Sequence, residues 1–167
     1  MVTLRPLDET RDLDFLMELE RLHHENGFIG LDSAEVHLAR LRDPQNRYFL
    51  IESHGERVGF VIVCDIEPVH RNILIKRIAL GQLGRGTGRE ALRLVVQLAF
   101  GEWNAHRLWL DVYDDNERAR RTYRRLGFVE EGTLRECCWH GGRFRSLVVM
   151  SLLEADVRAQ AHLADSH

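Results

Sequence analysis

Between Ile73 and Leu92 an apolar stretch runs into four closely spaced glycines, Gly81, Gly84, Gly86 and Gly88, and then into a helix start. Residues of these types in this order build an anion cradle. Glycine leaves the backbone free of Cβ atoms, so successive N–H groups can turn toward a phosphate while the following helix adds the positive end of its dipole. Thr87 and Glu90 fit a capping box, which marks the start of that helix. Spacing excludes two of the glycine motifs that bind phosphates. A P-loop carries Lys-Ser/Thr after its last glycine, whereas Gly86 is followed by Thr87 and Gly88. A dinucleotide fingerprint needs glycine or alanine where Arg89 stands. A glycine-rich turn that holds no ligand stays open as an alternative.

The second group of residues with chemical potential lies downstream. Leu108 to Val112 reads as a short apolar strand that meets an acidic turn, and Asn116 is placed to cap a helix that Gly127 can stop. Asn116, Ala119, Tyr123 and Leu126 recur at helical spacing and share one face, while Arg118, Arg120, Arg121, Arg124 and Arg125 occupy the others. A stripe of this kind presents an amide and a phenol along one line. The same spacing also suits a core aromatic whose hydroxyl finds a local partner.

The elements that must position these groups follow from periodicity. Val2 to Arg5 reads as a strand, and Asp8 to about His24 as an amphipathic helix with Leu13, Leu16, Met17 and Leu19 on its apolar side. A loop, Asn26 to Leu31, leads to a helix opened by Asp32 or Ser33, with Val36, Leu38 and Leu41 expected inside. Tyr48–Glu52 and Arg57–Ile66 form a hairpin around Ser53 to Glu56, and the central strand and helix come next. Val129–Trp139 and Phe144–Leu153 form a second hairpin closed by His140 to Arg143. From Glu154 the chain is polar and alanine-rich, expected as a frayed tail to residue 167 after one domain over residues 1–153.

Composition restricts the function classes. A chain of 167 residues with 44% hydrophobic and 29% charged residues is that of one globular domain. A net charge of -3 gives no pull toward nucleic acid or anionic membrane, and the arginine-rich helix lacks interleaved aromatics for stacking bases. Cys64, Cys137 and Cys138 are odd in number and two are neighbours, so a disulfide framework is not expected and a reducing cytoplasm is. No apolar signal core opens the chain, and no window approaches the ~20 apolar residues of a membrane span. The histidines lack HExxH spacing and the cysteines lack CxxC spacing, so no metal is expected.

Leu83-Gly-Arg-Gly-Thr-Gly88 resembles the Gln/Arg-x-x-Gly-x-Gly/Ala loop of the GNAT superfamily of acyl-CoA N-acyltransferases, with Leu83 at the Gln/Arg position and Gln82 one residue early. Asn-x-x-Ala-x-x-x-Tyr-x-x-x-Gly-Phe, from Asn116 to Phe128, resembles the second coenzyme segment of the same superfamily. The closing segment, Leu126 to Glu136 with Gly142 to Ser146, is similar to the branch of ribosomal-protein N-terminal and polyamine acetyltransferases. The resemblance implies an α/β (α+β) GNAT fold: a central mixed, mostly antiparallel sheet of six to seven strands with helices on both faces. It implies acetyl-CoA as co-substrate, held by Ile78, Ala79, Leu80, Leu83, Gly84, Arg85, Gly86, Thr87, Gly88, Arg89, Asn116, Ala119 and Tyr123.

In such enzymes an amine attacks the thioester directly in a ternary complex. By the resemblance, backbone N–H groups near Ile78, Ala79 and Leu80 would stabilise the oxyanion, Asn116 would contact the pantetheine arm, and Tyr123 would protonate the leaving thiolate as the catalytic acid. The acceptor would be a peptide N-terminus, a polyamine or another small-molecule amine, with Glu25, Phe28 and His70 as candidate contacts on fold analogy. An ammonium of pKa about 10.4 must lose a proton before it attacks. Glu67, His70 and Glu25 are candidate bases by position, and a water chain would serve equally. Lys76 and Arg77 either attract an acidic group on the acceptor or point to solvent. Two rivals stand beside the acetyltransferase: a transferase using another acyl donor, and an acyl-CoA sensor without turnover. The exposed C-terminal hairpin points to a homodimer.

Overall fold

A computed structural model describes residues 1–82 and 86–164. The elements run β1 (Val2–Pro6), α1 (Leu13–Glu25), α2 (Ala34–Arg42), β2 (Arg47–Ser53), β3 (Glu56–Cys64), β4 (Asn72–Leu80), α3 (Thr87–Gln97), β5 (Arg107–Tyr113), α4 (Glu117–Arg125), β6 (Val129–His140), β7 (Arg143–Leu153) and α5 (Glu154–Ala164). A π-helical turn over Leu98–Glu102 continues α3. The strands form a seven-stranded sheet in the order β1-β2-β3-β4-β5-β7-β6. All neighbours are antiparallel except β4 and β5, so the sheet is mixed.

Alternation along the strands sorts the core into two layers. Phe49, Ile51, Val61, Val63, Leu108, Leu110 and Val112 face α3, α4 and α5, represented by Ala91, Leu92, Val95, Tyr123 and Val157. Tyr48, Leu50, Phe60, Ile62 and Cys64 face the other way, against Leu16 and Leu19 of α1 and Leu41 of α2. Helices therefore cover both faces.

Four local expectations are corrected. α1 begins at Leu13, not Asp8, because the preceding carboxylates tie up the backbone in turns: Asp8 accepts from the Thr10 and Arg11 N–H groups, and Asp12 accepts from the Asp8 N–H. Arg5 clamps Asp12 at 2.9 Å. In α2, Ser33 is the cap, but the fully buried residue is His37, while Val36 is 42% exposed. The capping box at Thr87 does not form: Gly86 is the N-cap, and the Glu90 carboxylate instead accepts from the Val2 N–H at 3.3 Å. The tail is a helix, α5, whose start is capped by Asp156 on the Leu153 N–H.

Gly127 closes α4 in a left-handed conformation, φ +94. Its N–H bonds the Arg124 carbonyl, and the Phe128 N–H bonds the Tyr123 carbonyl, the two bonds of a Schellman motif. A Cβ at Gly127 would also collide with Gln160 of α5. This glycine ends α4, and α5 packs on β7 and the core through Val157. Gly59 on β3 is opposite Leu80 in the register, and a Cβ there would collide with the Ala79 carbonyl, so its absence lets the end of β4 lean onto β3.

Candidate active site

The site arises where the sheet opens. β4 and β5 pair only from Asn72↔Arg107 to Leu74↔Trp109. A register shift opposite Ile62 and Val63 leaves Lys76 without a partner on β3, a β-bulge in the central strand. Beyond Leu74 the two strands diverge, and the flank of β4 turned toward β5 has no strand to bond. Ile75 to Leu80 and Leu110 to Tyr113 line the resulting cleft of about 820 Å³. On that flank the backbone groups of Ile78 and Leu80 turn toward the opening, while Ala79 pairs with Phe60 in the β3 ladder; the Leu80 carbonyl is contacted by His23 Nε2 at 2.8 Å.

One end of the cleft suits phosphates. Gly86, Thr87, Gly88 and Arg89 line it at the start of α3, with Gly86 at φ +76 and open space around it. Leu83, Gly84 and Arg85 lie outside the described residues. The arginines of α4 divide into two sets. Arg120 and Arg124 are bound to Glu130 at 3.0 and 2.6 Å, and Arg124 to Glu117 at 2.8 Å. Arg118, Arg121 and Arg125 line the cleft with Arg89 and form no ion pair among the described residues. A helix start, a left-handed glycine and four uncommitted guanidinia fit the phosphates of a coenzyme.

Asn116 and Tyr123 sit on the cleft wall along the same face of the α4 segment. The Asn116 Oδ1 accepts from the Ala119 N–H at 3.2 Å, which caps α4 and leaves its Nδ2 group as donor. Tyr123 is 8% exposed, and its ring packs 6.0 Å from Phe128. Burial pushes its phenol up to about 12, with the Asp111 carboxylate adding to the rise.

The other end of the cleft is walled by His23, Phe28, Ile29, Gly30, Tyr113, Cys138 and Leu147, with Lys76, Arg77 and Asp111 as its charged groups. Asp111 projects from β5 into this space. Its side chain meets solvent through the cleft but is enclosed on its flanks; that burial raises its carboxyl above the ordinary value, against the charges of Lys76 and Arg77.

Arg77 does not point to solvent. Its guanidinium reaches Glu20 at 2.5 Å and Asp32 at 3.0 Å, under the acceptor end of the cleft. Glu20 also takes His37 Nε2 at 3.0 Å and the Asp32 N–H at 2.8 Å, His37 Nδ1 meets the Tyr48 hydroxyl at 3.0 Å, and Arg40 reaches Asp32 at 3.0 Å. Burial opposes the Glu20 charge, but the His37 bond, the Asp32 N–H and the Arg77 charge outweigh it and hold the carboxyl below its usual range. Glu20, Asp32 and His37 bring donor atoms within 4.8 Å of one another, a spacing that a cation would use. Arg77 and Arg40 supply the positive charge there.

The loop after α1 is fixed from across the cleft. Arg145 donates to the Gly27 carbonyl at 2.7 Å, binds Asp115 at 2.5 Å and lies 3.8 Å over the Tyr113 ring. His140 bridges the Tyr113 hydroxyl at 2.8 Å and the His24 carbonyl at 2.9 Å, stacked on the His24 ring.

Of the acceptor contacts expected from the sequence, Phe28 lines the cleft. Glu25 does not; it is exposed and bound to Arg21 at 2.5 Å. His70 precedes β4 at the end where β4 and β5 are still paired, and its N–H bonds Glu67 at 2.7 Å, so both residues belong to a turn away from the opening. Sequence reasoning missed Asp111, His23, Tyr113 and Cys138. Asp111 left one signal, a lone charge inside the apolar strand Leu108 to Val112.

Comparison with known proteins agrees with this geometry. The profile of the acetyltransferase (GNAT) family matches residues 13–128. A spermidine N(1)-acetyltransferase of Escherichia coli (strain K12) is 29% identical over 167 residues, covering 95% of this chain and 89% of that protein. A Vibrio cholerae spermidine N-acetyltransferase solved with CoA and spermine superposes with a TM-score of 0.82 at 26% identity, over 93% of this chain and 96% of the other. The same enzyme solved as a dodecamer superposes at 0.80 and 26%, over 93% and 95%. The profile match spans the opened sheet, the glycine loop and the Asn116-to-Phe128 helix together, and this chain belongs to the GNAT acetyltransferase family, whose members move an acetyl group from acetyl-CoA to an amine.

Proposed function

We propose that the protein acetylates an aliphatic primary amine, with acetyl-CoA lying in the gap between β4 and β5 and the amine entering from the α1–α2 side. The observation that carries this reading is the alignment of three features along one cleft: the α3 start with its arginines, the buried Tyr123, and Asp111. The relatives named above act on spermidine, which offers a primary amine on a slender chain; a peptide N-terminus offers the same group.

Each residue has a physical task. Thr87, Gly88 and Arg89 with Arg118, Arg121 and Arg125 receive the phosphates, and Asn116 Nδ2 donates toward the pantetheine amide. Unpaired N–H groups of the Ile78 to Leu80 segment meet the carbonyl oxygen as charge develops on it. Asp111 is the one carboxylate lining the described part of the cleft; it pairs with the acceptor ammonium and takes its proton, a task its raised pKa favours. Tyr123 stays protonated at neutral pH and offers its O–H to the departing sulfur. A thiol has a reference pKa of about 8.5, below this phenol, so Tyr123 acts first as a hydrogen-bond donor. Burial raises a thiolate in the same manner, which narrows the gap.

Residues 1–153 work as one domain in this reading, with α5 packed on β7. The three free cysteines suit a reducing cytoplasm, and no described helix is long and apolar enough to cross a membrane. The edge strand β6 and the exposed Trp139–Phe144 pair on the hairpin offer a surface for a second copy, so we assign a homodimer as the minimal assembly. Mass spectrometry of amines incubated with protein and acetyl-CoA tests the activity: an acceptor heavier by one acetyl group supports it, and bound acetyl-CoA without any acetylated amine assigns a sensor.

A further inference from the structure

We propose that the acceptor is an amine carrying a negatively charged group on the same short chain, an amino-acid-like zwitterion, with its amine at Asp111 and its anion at Lys76. This rests on the acetyl-transfer reading above and narrows its acceptor.

Three observations on the cleft walls lead there. The first is the balance of charge. Arg89, Arg118, Arg121 and Arg125 belong to the phosphate end, which leaves Lys76, Arg77 and Asp111 as the charged residues of the acceptor end. A polycation such as spermidine needs several carboxylates, and the described lining offers one.

The second is the fate of the nearest acids. Glu20 on α1 and Asp32 before α2 are both taken by the Arg77 guanidinium, at 2.5 and 3.0 Å. Neither lines the cleft. Arg77 thereby withdraws two carboxylates from any acceptor and has its own charge cancelled.

The third is Lys76. It is the sole lysine of the sequence, it occupies the β4 bulge, it is exposed, and it forms no ion pair among the described residues. Leu74 and Trp109 form the last pair between β4 and β5, and Lys76 and Asp111 each stand two residues beyond it, on opposite banks of the opening. Paired strands lie about 4.8 Å apart and these have diverged, so one ammonium and one carboxylate line a gap wider than that spacing, one on each bank, for a short zwitterion to bridge. A second ammonium in the same place meets Lys76 as a like charge.

The experiment compares three acceptors on one five-carbon skeleton: pentylamine, 1,5-diaminopentane and 5-aminopentanoate, with spermidine alongside. The expected order of kcat/KM is aminopentanoate above pentylamine above diaminopentane, with at least a tenfold span between the ends. Lys76→Glu reverses the order. Should that variant fail to fold, succinylation of the folded wild-type protein inverts the same charge, with Lys76→Met treated alike to account for the N-terminal amine. A preference for diaminopentane or spermidine, or a ratio that charge reversal at Lys76 leaves unmoved, overturns the proposal while the acetyl-transfer reading stands. Acetylation of none of the four amines overturns the proposal, and loss of turnover across a wider amine and peptide panel overturns that reading as well.

Discussion

Arg77 of β4 reaches Glu20 of α1 at 2.5 Å, and this ion pair, with both side chains withdrawn from solvent, ties the unpaired half of the central strand to the first helix. The segment that loses β5 as a neighbour is thus held by α1. Removing one partner of a buried pair leaves the other uncompensated and costs about 3–5 kcal/mol. Arg77→Met is therefore expected to lower the melting temperature by roughly 6–20 °C at 2–4 °C per kcal/mol for a chain of this size. Thermal unfolding followed by circular dichroism measures it, and a drop of only a degree or two would show that the pair carries little.

Acid should release the same device. Folded Glu20 holds its proton less tightly than the unfolded chain does, so its contribution to stability is complete above the ordinary carboxylate range and drains away as the pH falls through that range toward its lower folded value. Wild type and Glu20→Gln are expected to differ most in melting temperature at neutral pH and to converge as the pH drops below about 4.

Asp111 carries the opposite sign. Its carboxyl is raised in the folded protein, so it costs stability at neutral pH, where the unfolded chain ionises it more readily. Asp111→Asn is expected to leave the melting temperature unchanged or slightly raised while lowering kcat by about 10²-fold, the scale of a lost general base. A variant that loses stability and activity together would assign Asp111 a structural part.

Gly86 and Gly127 separate conformation from contact. Gly86 has φ +76 and open space around it, so Gly86→Ala meets only the backbone cost of about 1–2 kcal/mol and should raise KM for acetyl-CoA. Gly127 combines φ +94 with a tight approach to Leu152 and to the Gln160 amide tip, which can swing aside, so Gly127→Ala should cost at least the same backbone term, with little effect on KM. Calorimetry together with initial rates distinguishes the two.

The fold was legible because its elements are local statements. Strand alternation, the Ser33 and Asn116 caps and the Gly127 stop each act within a few residues, and the order of strands and helices through β7 follows from them. What escaped depends on partners distant in sequence. Arg77 looks like a strand-edge cation until α1 brings Glu20 to it across 57 positions. His37 sits in the core in place of Val36 because Glu20 and Tyr48 satisfy both ring nitrogens, which no helical periodicity reveals. The alanine-rich segment after Leu153 reads as a tail, and becomes α5 once β7 and the sheet core give Val157 a surface on which to pack. In the cleft, the glycines and the Asn116-to-Tyr123 stripe declared themselves by spacing, whereas Asp111 acquires meaning only where β4 and β5 part.

The most direct test of the account is the rate of coenzyme A release from acetyl-CoA, driven by an acceptor amine, in wild-type and Tyr123→Phe proteins side by side. The account predicts amine-dependent release that falls by about 10²-fold or more in kcat in the variant, with KM for acetyl-CoA nearly unchanged, because the hydroxyl meets the sulfur only as charge develops there. Release that Tyr123→Phe sustains at the wild-type rate would contradict it.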